Sequence, residues 1–453
     1  MTTASNEQLK TQPPEGRSLP LPPGKFGLPF IGETISFLGD PDFAKKRQQR
    51  YGPIFKTHLF GRPTVVMIGA EANRFLFSNE NQYFSMSWPD STKILLGASS
   101  LTVQTGDEHK NRRKLLSQAF QPRALTGYLS TMQNITQSYL HKWERMGTLT
   151  WYPELKKYTF DVACKFLVGT DGASDSRFGE LFEDYSNGLF SIPLRLPWTR
   201  FGRALRCREQ LLEKIEEIVR QRQQQPNSNE DALGIMMQAQ DEDGNSLSLQ
   251  ELKEQVLLLL FAGHETLTSA IASFCLLLAQ HPEVLATARA EQQQLGLEEP
   301  LTSEHLKQMT YLEQVLKEVL RMVPPAGGGF RETIKPCEFN GYYIPQGWAA
   351  LYQILKTHED SSVYTQPERF DPQRFAPERA EDKSKPFSHI PFGGGVRECI
   401  GKEFAKLEMK LFAALLLREY EWELLPEQNL DIVPTPLAHP RDGLQVKLRR
   451  LVG

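Results

Sequence analysis

The sequence has few cysteines, little net charge and no long apolar run. Five cysteines occur in 453 residues without a Cys-x-x-Cys pair, which argues against a disulfide framework and for a reducing compartment. A net charge of −3 and a pI near 6.4 argue against bulk attraction to nucleic acid or an anionic membrane. The longest apolar run, Val256–Gly263, is too short to cross a bilayer. We therefore expect a soluble cytoplasmic protein that has no membrane span and does not bind nucleic acid.

The chain also lacks an apolar segment near its N-terminus and a linker that would divide it. Residues 1–18 are polar and contain Pro and Gly, which predicts a disordered tail. No charged or Pro/Ser-rich linker follows, and a hydrophobic content of 40% can bury a sizeable core. We expect residues 19–453 to form a single catalytic domain, and nothing in the sequence suggests more than a monomer.

Long helical patterns dominate the chain, and strand patterns are short. Ile54–Leu59 and Thr64–Ile68 flank a Gly-Arg-Pro turn, which predicts a hairpin. A capping box at Ser248 starts an apolar helix that continues to about Gln280. Another helix is predicted over Lys402–Leu417. The predicted fold class is mainly α with small β-sheets.

Residues Phe392–Gly401, with the sequence FGGGVRECIG, carry the strongest chemical signal. The three glycines allow a tight turn that can aim several N–H groups at one atom. Arg397 and the start of the following helix are expected to favour the thiolate of Cys399. A single thiolate with backbone hydrogen bonds is one way in which proteins hold haem iron. The alternative, a structural cysteine beside a Gly-rich turn, does not explain the fixed offsets of Phe, Arg and Cys.

Through this segment, the sequence resembles the cytochrome P450 family of haem-thiolate monooxygenases, and the resemblance extends from about Leu21 to the C-terminus. Within that family it is most similar to the retinoic acid hydroxylases, on segments 21–24, 59–65, 88–91, 327–331, 390–395 and 401–406. The resemblance implies a cytochrome P450 fold with haem b between the long central helix and the helix after Cys399. It implies that Cys399 is the axial iron ligand and that a separate ferredoxin or flavodoxin supplies electrons. Unlike the animal retinoic acid hydroxylases, this sequence shows no N-terminal membrane anchor.

A charged residue in the middle of the central apolar helix also needs an explanation, because an unpaired buried charge is costly. The segment Ala262–Thr266 resembles the family's oxygen-activation motif. By that resemblance, Thr266 would hydrogen-bond dioxygen, and Glu265 would bring protons from solvent. His264 is expected to have a structural partner. The alternative is that Thr266 and Glu265 lie on an exposed side of the helix.

The two carboxylates of haem require cations and hydrogen-bond donors. The resemblance implies a cofactor-binding set made of His109, Arg113, Arg331, Phe392, Arg397 and Gly401. His109 stands where many family members have Trp. A solvated basic helix is the alternative for this segment, and Arg112 and Lys114 are expected to belong to a basic proximal face that meets an acidic electron donor.

A Glu-x-x-Arg pair precedes the cysteine loop. Glu318 and Arg321 share one face of a helix that is predicted to stop before Pro324. Alone, this pair is weak evidence for a buried ion network, because surface pairs of this spacing are common. The resemblance implies a buried ion network that supports the haem loop, with Arg374 as the third member and Arg369 as the second choice.

The resemblance also implies a substrate pocket and a substrate class. Residues that would border the substrate are Trp88, Phe261, Ala262, Gly329 and Pro436, and residues 182–198 are expected to form an apolar lid. The implied reaction is hydroxylation of a long apolar carboxylic acid, a retinoid such as all-trans-retinoic acid. Alternatives are a fatty-acid or terpenoid hydroxylase, a haem-thiolate isomerase or peroxide-using enzyme, and a non-catalytic haem-binding protein. Glu265 and Thr266 argue against the last two classes.

Overall fold

The computed structural model describes residues 19–29, 31–224, 231–298 and 300–451, so the tail expected over residues 1–18 lies outside the described residues. Helices make up most of this part of the chain, as the sequence predicts. They are α1 Thr34–Gly39, α2 Phe43–Tyr51, α3 Ala70–Ser78, α4 Asp90–Leu96, α5 Gly106–Ser117, α6 Pro122–Met146, α7 Trp151–Leu167, α8 Arg177–Ser186, α9 Arg200–Gln224, α10 Ala232–Gln238, α11 Leu249–Gln280, α12 Pro282–Leu295, α13 Ser303–Gln308, α14 Thr310–Met322, α15 Ile354–His358 and α16 Lys402–Glu419.

The strands are short and form small sheets. They are β1 Ile54–Leu59, β2 Arg62–Met67, β3 Phe84–Met86, β4 Thr148–Thr150, β5 Gly328–Thr333, β6 Cys337–Phe339, β7 Tyr342–Ile344, β8 Ala349–Gln353, β9 Tyr420–Leu424, β10 Ile432–Val433, β11 His439–Pro440 and β12 Gln445–Arg450. The largest sheet has the order β1-β2-β8-β5-β3, and β1 and β2 form the predicted hairpin. Pairing of β3 with β5 places Met86 opposite Arg331.

The central helix α11 begins where the sequence predicts. The Ser248 hydroxyl accepts a hydrogen bond from the Glu251 backbone N–H, and the Glu251 carboxylate accepts one from the Ser248 N–H. This reciprocal capping box satisfies N–H groups that have no partner within the helix. Among the described residues, α11 is the one helix long and apolar enough to cross a bilayer, but most of its apolar window is buried inside the protein. That burial is typical of the core helix of a globular protein.

The cysteine loop and the helix α16 that follows it pack near α11. Helix α11 contacts α7, α9, α14 and α16, and their apolar side chains form one large buried cluster. The cluster includes Leu257 and Leu260 of α11 and Leu411 and Phe412 of α16, all of them fully buried. Burial of this much apolar surface fixes the separation of α11 and α16, and with it the space between the central helix and Cys399.

Candidate active site

The loop before α16 needs glycine at two of its three consecutive glycine positions. Gly393 and Gly395 have φ angles of 71° and 66°, which side chains with a Cβ rarely adopt. The turn brings the Cys399 backbone N–H to the carbonyl oxygen of Phe392, at 2.9 Å. The sulfur of Cys399 therefore stands at the end of a closed loop, three residues before α16 begins.

Cys399 is accessible to solvent, although protein surrounds most of its thiol. Burial raises the pKa of the Cys399 thiol, and a hydrogen bond from the Gly401 backbone N–H and the positive charge of Arg113 partly oppose that rise. The Gly401 N–H favours the thiolate, as expected of a backbone amide in this loop, and a cation also favours it, but desolvation is the larger effect. A bound metal cation deprotonates a coordinating thiol outright, so this environment is compatible with an iron ligand.

The middle of α11 is accessible although the helix runs through the core. Residues 256–260 and 267–278 are buried, whereas Ala262 is exposed and Phe261, Gly263 and Thr266 are partly exposed. We infer that this accessible stretch of a core helix borders a cavity. Cys399 is likewise accessible beside the buried helix α16. Accessible positions on both elements fit a flat apolar cofactor held between α11 and the cysteine loop.

Thr266 lies at the edge of this accessible stretch. Its hydroxyl donates a hydrogen bond to the carbonyl oxygen of Ala262, one turn earlier, at 2.7 Å. Such a bond to the preceding turn is common for Thr in helices and often bends them. The Thr266 hydroxyl oxygen remains able to accept a hydrogen bond from a group in the cavity.

Glu265 is partly buried and has a cationic partner that the sequence does not indicate. Lys156 of α7 places its Nζ 3.2 Å from Oε1 of Glu265. The Lys156 side chain is 32% exposed and that of Glu265 is 14% exposed, so the pair connects the middle of α11 with solvent. The packing of α11 against α7 creates this contact.

His264 has the structural partner that the sequence analysis expects. Its Nδ1 lies 2.9 Å from the Thr159 hydroxyl, which lies 2.6 Å from the hydroxyl of Thr268. Burial lowers the pKa of His264 to about 4, and the neighbouring carboxylate of Glu265 only partly opposes that effect. A neutral imidazole inside this hydrogen-bonded group fits a structural role.

The four expected ligands of the haem carboxylates lie in one region. Burial, with the charges of Arg397 and Arg113, lowers the pKa of His109 to about 4, so His109 is neutral at pH 7. Arg331 and Arg397 are both almost fully buried and both contact the carboxylate of Glu80. Glu80 was not predicted to belong to the site, and no local motif marks it.

Two basic residues that were expected to meet an electron donor are paired within the chain. Arg112 forms an ion pair with Glu251, and Lys114 forms one with Glu242 at 3.0 Å. Their charges are therefore partly neutralised by acidic residues at and just before the start of α11. This pairing reduces the support for a role of Arg112 and Lys114 in binding a redox protein.

The Glu-x-x-Arg pair belongs to a fully buried ion network. Glu318 Oε2 lies 2.7 Å from Arg321 Nε, and Glu318 Oε1 lies 3.0 Å from Arg374 Nε. Arg374 also contacts Glu381 at 2.7 Å. Arg369 contributes its backbone carbonyl instead of its guanidinium. The third member of this network is thus Arg374.

A histidine joins this network to the cysteine loop. The Nδ1 of His358 lies 3.1 Å from the carbonyl oxygen of Arg321, and its Nε2 accepts a hydrogen bond from the Ile390 N–H at 2.9 Å. Because Nε2 accepts, Nδ1 carries the proton, and the imidazole is neutral. His358 therefore connects α14 to the segment that leads into the loop, a role that the sequence did not reveal.

The expected pocket residues differ in their surroundings. Trp88 uses its indole N–H to bind the Thr102 carbonyl oxygen at 3.1 Å. Phe261 is 6.4 Å, between ring centroids, from Phe190 in the predicted lid. Pro436 is exposed.

Gly329 is constrained by packing. An added Cβ there would meet the Tyr352 hydroxyl at 2.5 Å, so the residue must be small for a packing reason. The neighbouring strand β8 carries Tyr352 and therefore explains why residue 329 has no side chain.

The fold and the site together indicate a mainly helical haem-thiolate protein, in which the cysteine loop and the middle of the long central helix both carry accessible residues. The family model for cytochrome P450 matches residues 22–448, and the chain belongs to the cytochrome P450 family. It is therefore a haem b-binding monooxygenase of that family.

Two curated relatives illustrate how far the similarity extends. The putative cytochrome P450 120 of Synechocystis sp. is 54% identical over 442 residues, covering 98% of this chain and 100% of the relative. Cytochrome P450 26A1 of Gallus gallus is 40% identical, covering 95% of this chain and 90% of the relative. The solved structure of cyanobacterial CYP120A1 with retinoic acid bound has a TM-score of 0.92 and 54% identity, covering 96% of this chain and 100% of that chain.

Proposed function

We propose that this cytochrome P450 hydroxylates a long apolar carboxylic acid of the retinoid class, with all-trans-retinoic acid as the leading candidate. The observation that carries the proposal is the 54% identity, over nearly the whole of both chains, to a structure described with retinoic acid bound. The resemblance of segments 59–65, 88–91 and 327–331 to retinoic acid hydroxylases supports the same substrate class.

The residues at the site would hold the cofactor in a defined way. Cys399 would ligate the iron, and Arg113, Arg331, Arg397 and neutral His109 would meet the two haem carboxylates. Haem b, when bound, supplies the activation of dioxygen and the transfer of one oxygen atom to a C–H bond. Phe392 and Gly401 would shape the loop, since their backbone atoms bond to the N–H and the sulfur of Cys399.

Protons for the reaction would travel along α11. Thr266 would present its own hydroxyl at the accessible stretch of the helix. Glu265 would take protons from solvent and pass them to the site. The contact between Lys156 and Glu265 supports this direction of transfer, because the lysine side chain reaches partly exposed surface. Rotation of Glu265 between Lys156 and the cavity would be sufficient to carry one proton.

An apolar chain of retinoid length would be bound by aromatic residues around the cavity. Phe261 of α11 contacts Phe190, and the segment after α8 exposes Ile192, Leu194 and Trp198. Helix α4 holds the lid through the hydroxyls of its Ser91 and Thr92, which both donate to the Leu189 carbonyl oxygen. Burying such a ligand contributes a favourable binding free energy of roughly 25 cal/mol per Å² of apolar area, before entropy losses are subtracted.

The carboxylate of such a substrate needs a donor, and Arg62 is our candidate. Its guanidinium donates to the Ser87 hydroxyl at 3.0 Å and lies 3.1 Å from the Glu332 carboxylate. Ser87 precedes Trp88, and the Arg62 side chain is 35% exposed, so its guanidinium can donate hydrogen bonds to a second carboxylate. A charged partner at one end of the cavity would favour an acid over the corresponding alcohol.

The proposal is tested by titrating purified holoprotein with ligands and following the shift of the haem Soret band. We expect all-trans-retinoic acid to bind in the micromolar range or tighter, more tightly than retinol or palmitic acid, whose flexible chain loses more rotamer freedom. Arg62→Ala should remove most of the preference for retinoic acid over retinol. Equal affinity for palmitic and retinoic acids would instead identify a general fatty-acid hydroxylase.

Turnover is tested separately, with ferredoxin and flavodoxin systems as electron donors. Consumption of oxygen and reductant, with formation of a hydroxylated retinoid, is the expected result. A protein that binds retinoic acid but consumes neither oxygen nor reductant with any donor would be a non-catalytic haem protein.

A further inference from the structure

A buried carboxylate links two of the arginines that would meet haem. Glu80 Oε2 lies 2.8 Å from Arg331 Nε, and Glu80 Oε1 lies 3.1 Å from Arg397 Nε. The three side chains are only 3%, 3% and 4% exposed. Glu80 follows α3, Arg331 lies on β5, and Arg397 lies in the cysteine loop, so one carboxylate joins three separate parts of the chain.

The contacts fix how each guanidinium is turned. Both arginines bind Glu80 through Nε, which leaves their terminal nitrogens pointing elsewhere. The Nη atoms of Arg397 donate to the carbonyl oxygens of Leu101 and Gln104, and Nη1 of Arg331 donates to the Phe330 carbonyl. Each Nη carries two protons, so further donors remain for a second anion. An arginine side chain has much rotamer freedom, and Glu80 removes it before the cofactor arrives.

The carboxylate also sets the charge of the region. Arg113, Arg331 and Arg397 are cations, while burial keeps His109 neutral at pH 7. Glu398 also acts on Arg113, but it is paired with Lys402. The remaining three arginine charges less one carboxylate leave two positive charges, which match the two carboxylates of haem. Without Glu80 one positive charge would remain unbalanced in a poorly solvated region, where charges act strongly on each other.

We propose that Glu80 is a positioning residue that orients Arg331 and Arg397 toward the haem carboxylates and holds down the reduction potential of the haem iron. The proposal goes beyond the substrate assignment and does not depend on it. An unbalanced positive charge near haem favours the ferrous state, because that state carries one electron more. A carboxylate that cancels the charge therefore favours the ferric state.

The test uses purified, substrate-free holoprotein carrying Glu80→Gln, which keeps the size of the side chain and removes its charge. We expect an upward shift of the reduction potential, measured by spectroelectrochemical titration, and faster haem transfer to apomyoglobin, on the order of 10-fold, as for other residues that orient ligands of a metal site. The matched control is Glu71→Gln on α3, whose carboxylate pairs with Arg74 in an exposed position. The control should keep the wild-type potential and transfer rate.

A second variant covers the case in which Glu80→Gln does not fold. Glu80→Asp keeps the charge but is one methylene shorter, so it cannot contact both arginines. It should raise the rate of haem transfer while shifting the potential less than the glutamine variant does. A purely structural role would lower thermal stability without moving the potential. The proposal is overturned if the variants that fold keep the wild-type potential and transfer rate.

Discussion

Replacing Glu318 with alanine would leave the buried guanidinium of Arg321 without its carboxylate. Arg321 is 1% exposed and would keep neutral partners, namely the carbonyl oxygens of His358 and Arg369, at 2.9 and 3.4 Å, and the ring of Tyr364. Arg374 would remain paired with a carboxylate, because it keeps its contact with Glu381 at 2.7 Å. One buried charge is therefore left unpaired, which costs about 3–5 kcal/mol. That loss is a large part of a typical unfolding free energy of about 5–15 kcal/mol.

The same geometry predicts a smaller loss for Arg374→Ala. In that variant Glu318 keeps Arg321, and Glu381 keeps Arg379 at 2.7 Å, so no buried charge is left without a partner. Each lost hydrogen bond to a charged partner costs about 1.5–3 kcal/mol. Arg374→Ala removes two such bonds to carboxylates, whereas Glu318→Ala removes three from guanidinium groups and also leaves Arg321 unpaired. Glu304→Ala is the control, because its pair with Lys307 is more than two-thirds exposed, and such pairs contribute about 0–1 kcal/mol.

The assay is urea unfolding of the holoprotein, followed by tryptophan fluorescence, together with the haem content per chain. The expected order of destabilisation is Glu318→Ala, then Arg374→Ala, then Glu304→Ala, and haem content should fall in the same order. An equal loss of unfolding free energy in Glu318→Ala and Arg374→Ala would refute the reasoning that one unpaired guanidinium accounts for most of the destabilisation. Normal stability of Glu318→Ala would place the network outside the core.

Three further predictions concern the iron ligand, the proton path and acid stability. Cys399→Ser should abolish the thiolate signature in the spectrum of the reduced carbon monoxide complex, and retention of that signature would show that another cysteine binds the iron. Thr266→Ala should lower the ratio of product to reductant consumed, with peroxide released instead; an unchanged ratio would mean that Glu265 and water deliver the protons alone. Burial lowers the pKa of His264 to about 4 and that of His389 to about 3, so these groups stabilise the folded state above pH 6.5. Below pH 6.5 the unfolded chain takes up protons that the folded chain does not, so unfolding free energy from urea titrations should fall by up to about 1.4 kcal/mol per pH unit for each histidine, down to about pH 4. A flat profile between pH 6.5 and 4 would contradict this.

Local sequence determined the elements whose stabilising contacts lie a few residues apart. The capping box of Ser248 and Glu251, the hairpin around Gly61 and the glycines before Cys399 act within one turn. Their residue types are restricted by backbone geometry, so they can be recognised without tertiary information. The fold class and the cysteine loop were predicted from such features and from the family resemblance that they support.

Tertiary structure alone decided the partners of two charged groups of the site, Glu80 and Glu265. Glu80 lies 251 residues from Arg331 in sequence and 317 from Arg397, and Lys156 meets Glu265 only because α7 packs on α11. The chain contains 55 acidic residues, and no local pattern distinguishes Glu80 among them. Even the pKa of the Cys399 thiol depends on how deeply the folded chain surrounds it. Electrostatic partners are set by distances in space and by desolvation, and both quantities exist only once the chain has folded.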